Sequence, residues 1–267
     1  MRHVILYRGT DFEKEELESA SQFFYCVSRR PEIKEGDLVV GRYSVLPFYS
    51  EQAKDIDYVG ASLINSYQQH QYIADLGNWV LDLDRLTPRT WRNIEDIPEK
   101  GPFVLKGETN SRKSNWLHDM YAANKMEAIA IHNRLVNDSL LSQQKIYIRQ
   151  YVPLVKYVDG VNGMPVTKEF RFFVAFGKVL CGGYYWQNYI DDLSEKPNPY
   201  EVPQDFLYDV TKRVGDQSNF YTIDVAQTKS GEWIVIELNE GQMSGISCNE
   251  PMQLYKGLSE ALKSKGM

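Results

Sequence analysis

Cysteine is scarce in this chain: Cys26, Cys181 and Cys248 are the only three in 267 residues, far apart and without CxxC or Cys/His spacing. Neither a disulfide framework nor a zinc site is indicated, and a reducing cytoplasm is the expected compartment. Long apolar runs are missing too. No stretch approaches the ~18 residues of a membrane span, and the opening MRHVILYRGTDF turns polar too soon for a secretory signal, so a membrane is not an expected partner. Runs of Lys or Arg are absent, and 30 basic against 36 acidic residues give a net charge of -6. Nucleic acid is therefore not expected either. The chain has no GxxxxGK[ST] pattern, which excludes a P-loop, and no Ser/His/Asp or Cys/His arrangement that signals a covalent nucleophile.

What remains is a globular composition, 43% hydrophobic and 25% charged, able to bury a sizeable core as one large domain or as two to three lobes. Residues 3–7 alternate as a strand, 13–27 read as a helix with Asp11 as N-cap, and 37–43 and 58–64 supply two further apolar runs. This β-α-β rhythm predicts a small α/β lobe over residues 1–65. A helix over 67–76 closed by Gly77 follows, then a poorly periodic connection over 81–102. The next elements are a buried strand, Phe103 to Lys106, a helix capped by Asp119 with Tyr121, Ala128, Ile131 and Leu135 on one stripe, and a strand over 146–152. A hairpin over 168–186, a helix over 203–214, a second hairpin and a helix over 252–262 complete the chain.

The second hairpin, FYTIDVAQTKSGEWIVIELNEGQMSG from Phe220 to Gly245, carries the densest chemistry. Alternation puts Glu237 and Asn239 on one side, with Ile234, Ile236 and Leu238 on the core side. With a turn at Lys229–Glu232 and Thr228 opposite Trp233, Asp224 faces Glu237. Opposed carboxylates destabilise a sheet unless something lies between them, and the oxygen set Asp224, Glu237 and Asn239 suits Mg²⁺. The plain alternative is a half-buried hairpin with solvated acids.

Lys106 ends a buried strand and precedes the small polar loop Gly107–Ser114, which carries Lys113; a cation followed by loop N-H groups can hold polyphosphate. A snorkelling strand-end lysine is the alternative. Glu169 and Arg171 lie two apart on one face, as a functional pair or a surface ion pair. Arg8 and Arg42 end strands in the first lobe, where a carboxylate substrate could be met. Tyr184, with Tyr185 and Trp186, either lines a substrate pocket or packs a core. His70 reads as a surface helix residue.

In this order, Lys106 with its loop, the strand entering Gln150-Tyr151-Val152, Glu169/Arg171 and the Asp224/Glu237/Asn239 hairpin, the chain resembles the ATP-grasp superfamily over about residues 65–265. The resemblance implies an α/β ATP-grasp fold with a small N-terminal lobe (1–65) and an ATP-grasp domain (66–267) hinged near 148–153. It implies ATP as cofactor, with Lys106 and Lys113 on the phosphates, Gln150, Tyr151 and Val152 at the base, Glu169 on the ribose, Mg²⁺ on the hairpin, and Arg171 and Lys106 as catalytic groups. The implied activity is an ATP-dependent carboxylate-amine ligase passing through an acyl phosphate, the unknown carboxylate and amine substrates extending to a peptide or protein. A kinase or a non-catalytic ATP-binding module is the alternative. The family often places another phosphate-binding lysine on an early helix, where this chain has Gln69 and His70.

Overall fold

The computed structural model describes residues 1–9 and 14–267. The N-terminal lobe contains β1 (His3–Tyr7), α1 (Lys14–Ala20), β2 (Tyr25–Val27), β3 (Leu38–Arg42), α2 (Tyr49–Tyr58) and β4 (Ser62–Leu63). The sheet runs β2-β1-β3-β4, every pair parallel, so each return needs a crossover; α1 carries the one from β1 to β2 and α2 the one from β3 to β4. The helix expected over 13–27 is shorter, because the β-favouring Tyr-Cys-Val segment pairs with β1 instead; its expected cap, Asp11, lies outside the described residues. The apolar run at 58–64 yields only two strand residues. Tyr58 closes α2, and Gly60, at φ +75°, turns the chain there.

The central sheet follows: α3 (Tyr67–Ala74), α4 (Leu76–Asp82), β5 (Thr90–Trp91), β6 (Lys100–Gly107), α5 (Trp116–Asp119), β7 (Tyr121–Asn124), α6 (Lys125–Leu135) and β8 (Ile146–Gln150). The strands order β5-β8-β6-β7, all antiparallel. Two expected helix ends are corrected. The helix from residue 67 stops before Asp75, whose carboxylate accepts from the Gly77 amide at 2.8 Å and caps α4. Gly77 thus lies inside α4, where a Cβ would stand 2.1 Å from the Tyr147 hydroxyl oxygen. The helix expected from Asp119 begins at Lys125 with Asn124 as its cap, since Tyr121 pairs with Val104 at the edge of β6. Sheet pairing overrides helical spacing there.

The last part holds β9 (Lys156–Asp159), β10 (Pro165–Thr167), β11 (Glu169–Ala175), β12 (Lys178–Tyr184), α7 (Gln204–Val214), β13 (Phe220–Gln227), β14 (Trp233–Glu240) and α8 (Pro251–Ser264). Its main sheet is β12-β11-β13-β14, antiparallel throughout. Every residue of β11 is buried: Phe170, Phe172 and Val174 enter the main core with Trp79, Leu207 and Val235, while Phe173 and Ala175 pack with Ile5, Val40, Leu254 and Leu258. That second cluster joins the N-terminal lobe and α8 to the main sheet. Among the described residues no helix is long and apolar enough to cross a membrane.

Candidate functional site

Opposite each other in the β13–β14 register are Asp224 and Glu237. The route to that register differs from the expected one: Trp233 pairs with Gln227, and a bulge between Asp224 and Val225 restores the pairing one step later. The extra residue on β14 changes the alternation. Val235 and Leu238 enter the core, whereas Ile234 and Ile236, expected there, line a pocket of about 380 Å³. The bulge carbonyl of Ile236 accepts from the guanidinium of Arg149 at 2.5 Å. Arg149 is buried, also donates to Thr87 at 2.6 Å, and lines the same pocket. Burial depresses its pKa to about 10, opposed by Glu237. Sequence reasoning gave Arg149 no site role; a charged residue on an apolar strand was the available signal.

The pocket gathers most of the predicted nucleotide groups: Lys106, Lys113, Gln150, Tyr151, Val152, Glu169 and Glu237 line it, with Val104, Met120, Tyr121 and Leu154 among its apolar walls. The amides of Gln150 and Tyr151 donate to Arg89 and Pro102 carbonyls at 2.8 and 3.0 Å, so they are spent within the protein. Lys106 is buried and hydrogen-bonded to Glu237. Burial raises the Glu237 carboxyl, but Lys106 and Lys113 outweigh it and hold the group below its usual range. Glu169 differs: one oxygen accepts from Thr167 at 3.2 Å, while the other is buried with no partner among the described residues. Burial, reinforced by Asp224 and Glu237, lifts its pKa to about 7 against the pull of Lys113.

Arg171 crosses from β11 to Asp224 on β13 through two hydrogen bonds of 2.8 and 2.7 Å, and donates to the Gly245 carbonyl at 3.0 Å. Asp224 is fully buried behind it, and the Asn239 carboxamide reaches Asp224 at 3.5 Å. Among the described residues no group of three or more His, Cys, Asp or Glu could hold a metal ion; the predicted triad supplies two carboxylates and one carboxamide. Arg171 and Lys113 line a larger cleft of about 810 Å³ and an adjoining cavity of about 480 Å³ that also reaches Glu237 and Asn239. Lys113 faces all three spaces.

The low-lying substrate expectations fare less well. Arg42 borders the large cleft, but its donors are committed to Glu16, Tyr255 and the carbonyls of Gly241 and Ser244. It ties the lobes together and has little left for a carboxylate. Arg8 is exposed and lies over the Tyr43 ring at 4.4 Å, outside the lining of these cavities. Tyr184 belongs to the core; Tyr185, the first residue beyond β12, lines the cleft instead, with Trp186 following. His70, expected at the surface, is buried, stacked 3.8 Å from Tyr49 and 3.3 Å from a Glu240 oxygen.

Residues 92–258, well over half of the chain, match the family described as ATP-grasp domain, R2K clade family 3. Among solved structures, the fold is similar to D-cycloserine synthetase DcsG (TM-score 0.62, 13% identity, 97% of this chain and 99% of that one). It is similar to a Chryseobacterium gregarium RiPP-associated ATP-grasp ligase in complex with ADP and a leader and core peptide (TM-score 0.61, 13% identity, 99% and 97%). A RimK domain ATP-grasp protein from Sphaerobacter thermophilus is similar at TM-score 0.57, with 14% identity over 96% and 99% of the two chains. Comparison with curated protein sequences gives no match. Such identities establish the fold, and with the family match they place the order of site elements in a known context: the chain belongs to the ATP-grasp superfamily, in R2K clade family 3.

Proposed function

We propose that the protein is an ATP-dependent carboxylate-amine ligase whose nucleotide occupies the smaller pocket and whose acceptor occupies the larger cleft. The observation that carries this reading is the unpartnered Glu169 oxygen, buried in the wall of a pocket that also holds Lys106 and Lys113. A buried acceptor without a donor is costly, and ribose hydroxyls are donors. The apolar walls at Val104, Ile234 and Ile236 suit a base, read by the carbonyl oxygens of the 150–152 segment and the Val152 amide. Lys106 and Lys113 neutralise phosphate charge at the other end.

Glu237 and Asn239 reach the adjoining cavity and would hold Mg²⁺ through oxygen, which would supply charge neutralisation on phosphate oxygens. Asp224, expected beside them, is fully buried with both oxygens on Arg171 and fixes that cation instead. Arg171, fixed by Asp224, presents its remaining donor surface to the acceptor cleft. There it would orient a carboxylate whose oxygen attacks the γ-phosphorus as ADP leaves. An amine then attacks the acyl carbon and phosphate departs. The cleft's volume of about 810 Å³ exceeds the needs of a small acid, and a ligase of similar fold is described with a leader and core peptide; a peptide acceptor is therefore part of the proposal.

The test is a screen of amino acids, peptides and small carboxylates, each with an amine, for ADP and phosphate release. A ligase yields ADP, phosphate and an amide. A phosphorylated product with no free phosphate identifies a kinase, and nucleotide binding without ADP formation for any acceptor identifies a regulatory module.

A further inference from the structure

Three cations meet where the pocket and the cleft join: Lys106, Arg171 and Lys113. Lys106 is ion-paired with Glu237 and Arg171 with Asp224. Lys113 is held differently. Among the described residues its ammonium makes no ion pair; it donates to the Tyr185 hydroxyl at 2.6 Å and lies 4.3 Å from the centre of that ring and 5.1 Å from that of Trp186. The Arg171 guanidinium approaches the same Tyr185 ring at 4.9 Å. Tyr185 is itself braced: its amide donates to the Glu169 carbonyl at 3.0 Å and its ring meets Trp186 edge-on at 5.0 Å.

The choice of partner matters chemically. A carboxylate would fix a lysine but also cancel its charge toward an incoming anion. A phenol and a ring face fix it while leaving the charge unneutralised, because both are neutral groups acting through dipole and quadrupole. A lysine stem is flexible, and orienting it before the ligand arrives removes an ordering cost from binding. We propose that Tyr185 is a positioning residue that holds Lys113 charged and aimed at the terminal phosphate, at the junction of nucleotide pocket and acceptor cleft. This rests on the nucleotide assignment of the smaller pocket.

Calorimetric titration of the whole protein with Mg-ATP and with Mg-ADP separates the two ideas. Tyr185→Leu weakens Mg-ATP about tenfold, the order expected when one flexible side chain must be ordered on binding, and leaves Mg-ADP within about twofold. Tyr185→Phe keeps the ring, and with it part of the ordering of Lys113, and loses about threefold. Tyr185→Glu, which pins Lys113 but neutralises it, is at least as impaired as Lys113→Ala. The double variant Lys113→Ala/Tyr185→Leu is no weaker than Lys113→Ala alone, which a general packing role would not produce. Unaltered Mg-ATP affinity in Tyr185→Leu and Tyr185→Glu, equal losses for Mg-ATP and Mg-ADP, or additive losses in the double variant overturn the role of Tyr185. A parent protein that binds neither nucleotide, or a Lys106→Ala variant that binds both as the parent does, overturns the pocket assignment beneath it.

Discussion

Asp224 and Glu237 stand opposite each other on adjacent strands, yet each is bound to a cation from another element: Asp224 to Arg171 of β11, Glu237 to Lys106 of β6. The like-charge pair visible in the sequence is thus resolved within the protein by two cross-strand ion pairs. Lys106–Glu237 also joins the central sheet to the last one.

This arrangement reverses a stability expectation. With unpaired carboxylates, Glu237→Gln would relieve repulsion; with Lys106 buried against Glu237, it leaves a cation without its counter-charge. Removing one partner of a buried pair costs about 3 to 5 kcal/mol, and a carboxamide that still accepts a hydrogen bond brings the expected loss to about 3 kcal/mol. Urea unfolding checks it. An unchanged or raised stability contradicts the pairing.

Glu169 gives the protein a pH signature. Its folded pKa of about 7 lies above the ordinary 4.5, so between these values the folded state holds a proton that the unfolded chain has released. Stability is fully present below about pH 4.5 and falls as pH rises through 7, by about 3 kcal/mol for this group. Glu169→Gln removes that dependence: relative to the parent it gains stability progressively from pH 5 to 8. Chemical unfolding at pH 5, 6, 7 and 8 measures the difference, and parallel curves for the two proteins refute it.

Arg42→Ala is expected to act on folding. It leaves Glu16 buried without its ion-pair partner, and removes the donors that fix the Gly241 and Ser244 carbonyls. The loss is about 3 to 5 kcal/mol, read as a lowered urea midpoint. Retained stability with a raised acceptor KM would instead restore Arg42 to substrate binding.

Gly183→Ala tests the floor of the cleft. A Cβ there would lie 2.4 Å from the backbone carbon and oxygen of Cys248, so the 244–249 segment must shift, and with it the Gly245 carbonyl that receives Arg171. Overpacking of this kind costs about 1 to 3 kcal/mol. Turnover should fall more than Mg-ADP affinity, since the smaller pocket does not include this segment.

The residues that the sequence made legible share a cause. Lys106, Glu169, Arg171, Asp224 and Glu237 sit on strands whose ends are marked by Gly, Pro or turn residues, and strand alternation assigns their faces. The Asp224–Glu237 pairing was reached despite a turn register off by one, because the β14 bulge compensates. The same bulge moved Ile234 and Ile236 from core to pocket, and nothing in WIVIELNE signals it. His70, Arg149 and Tyr185 owe their settings to partners 170, 87 and 72 residues away, beyond any local pattern. Tyr184 ends β12 and Tyr185 follows it, and the pairing of Tyr184 with Phe170 across β11 and β12 is what takes the first of these adjacent aromatics into the core.

The most direct test of the nucleotide site is a crystal structure of the protein grown with Mg²⁺ and ADP. The account predicts ADP in the smaller pocket, its ribose hydroxyls on the free Glu169 oxygen, its phosphates toward Lys106, and metal density beside Glu237 and Asn239. ADP bound elsewhere, or that pocket closed by its own side chains with the Glu169 oxygen satisfied from within the protein, would contradict it.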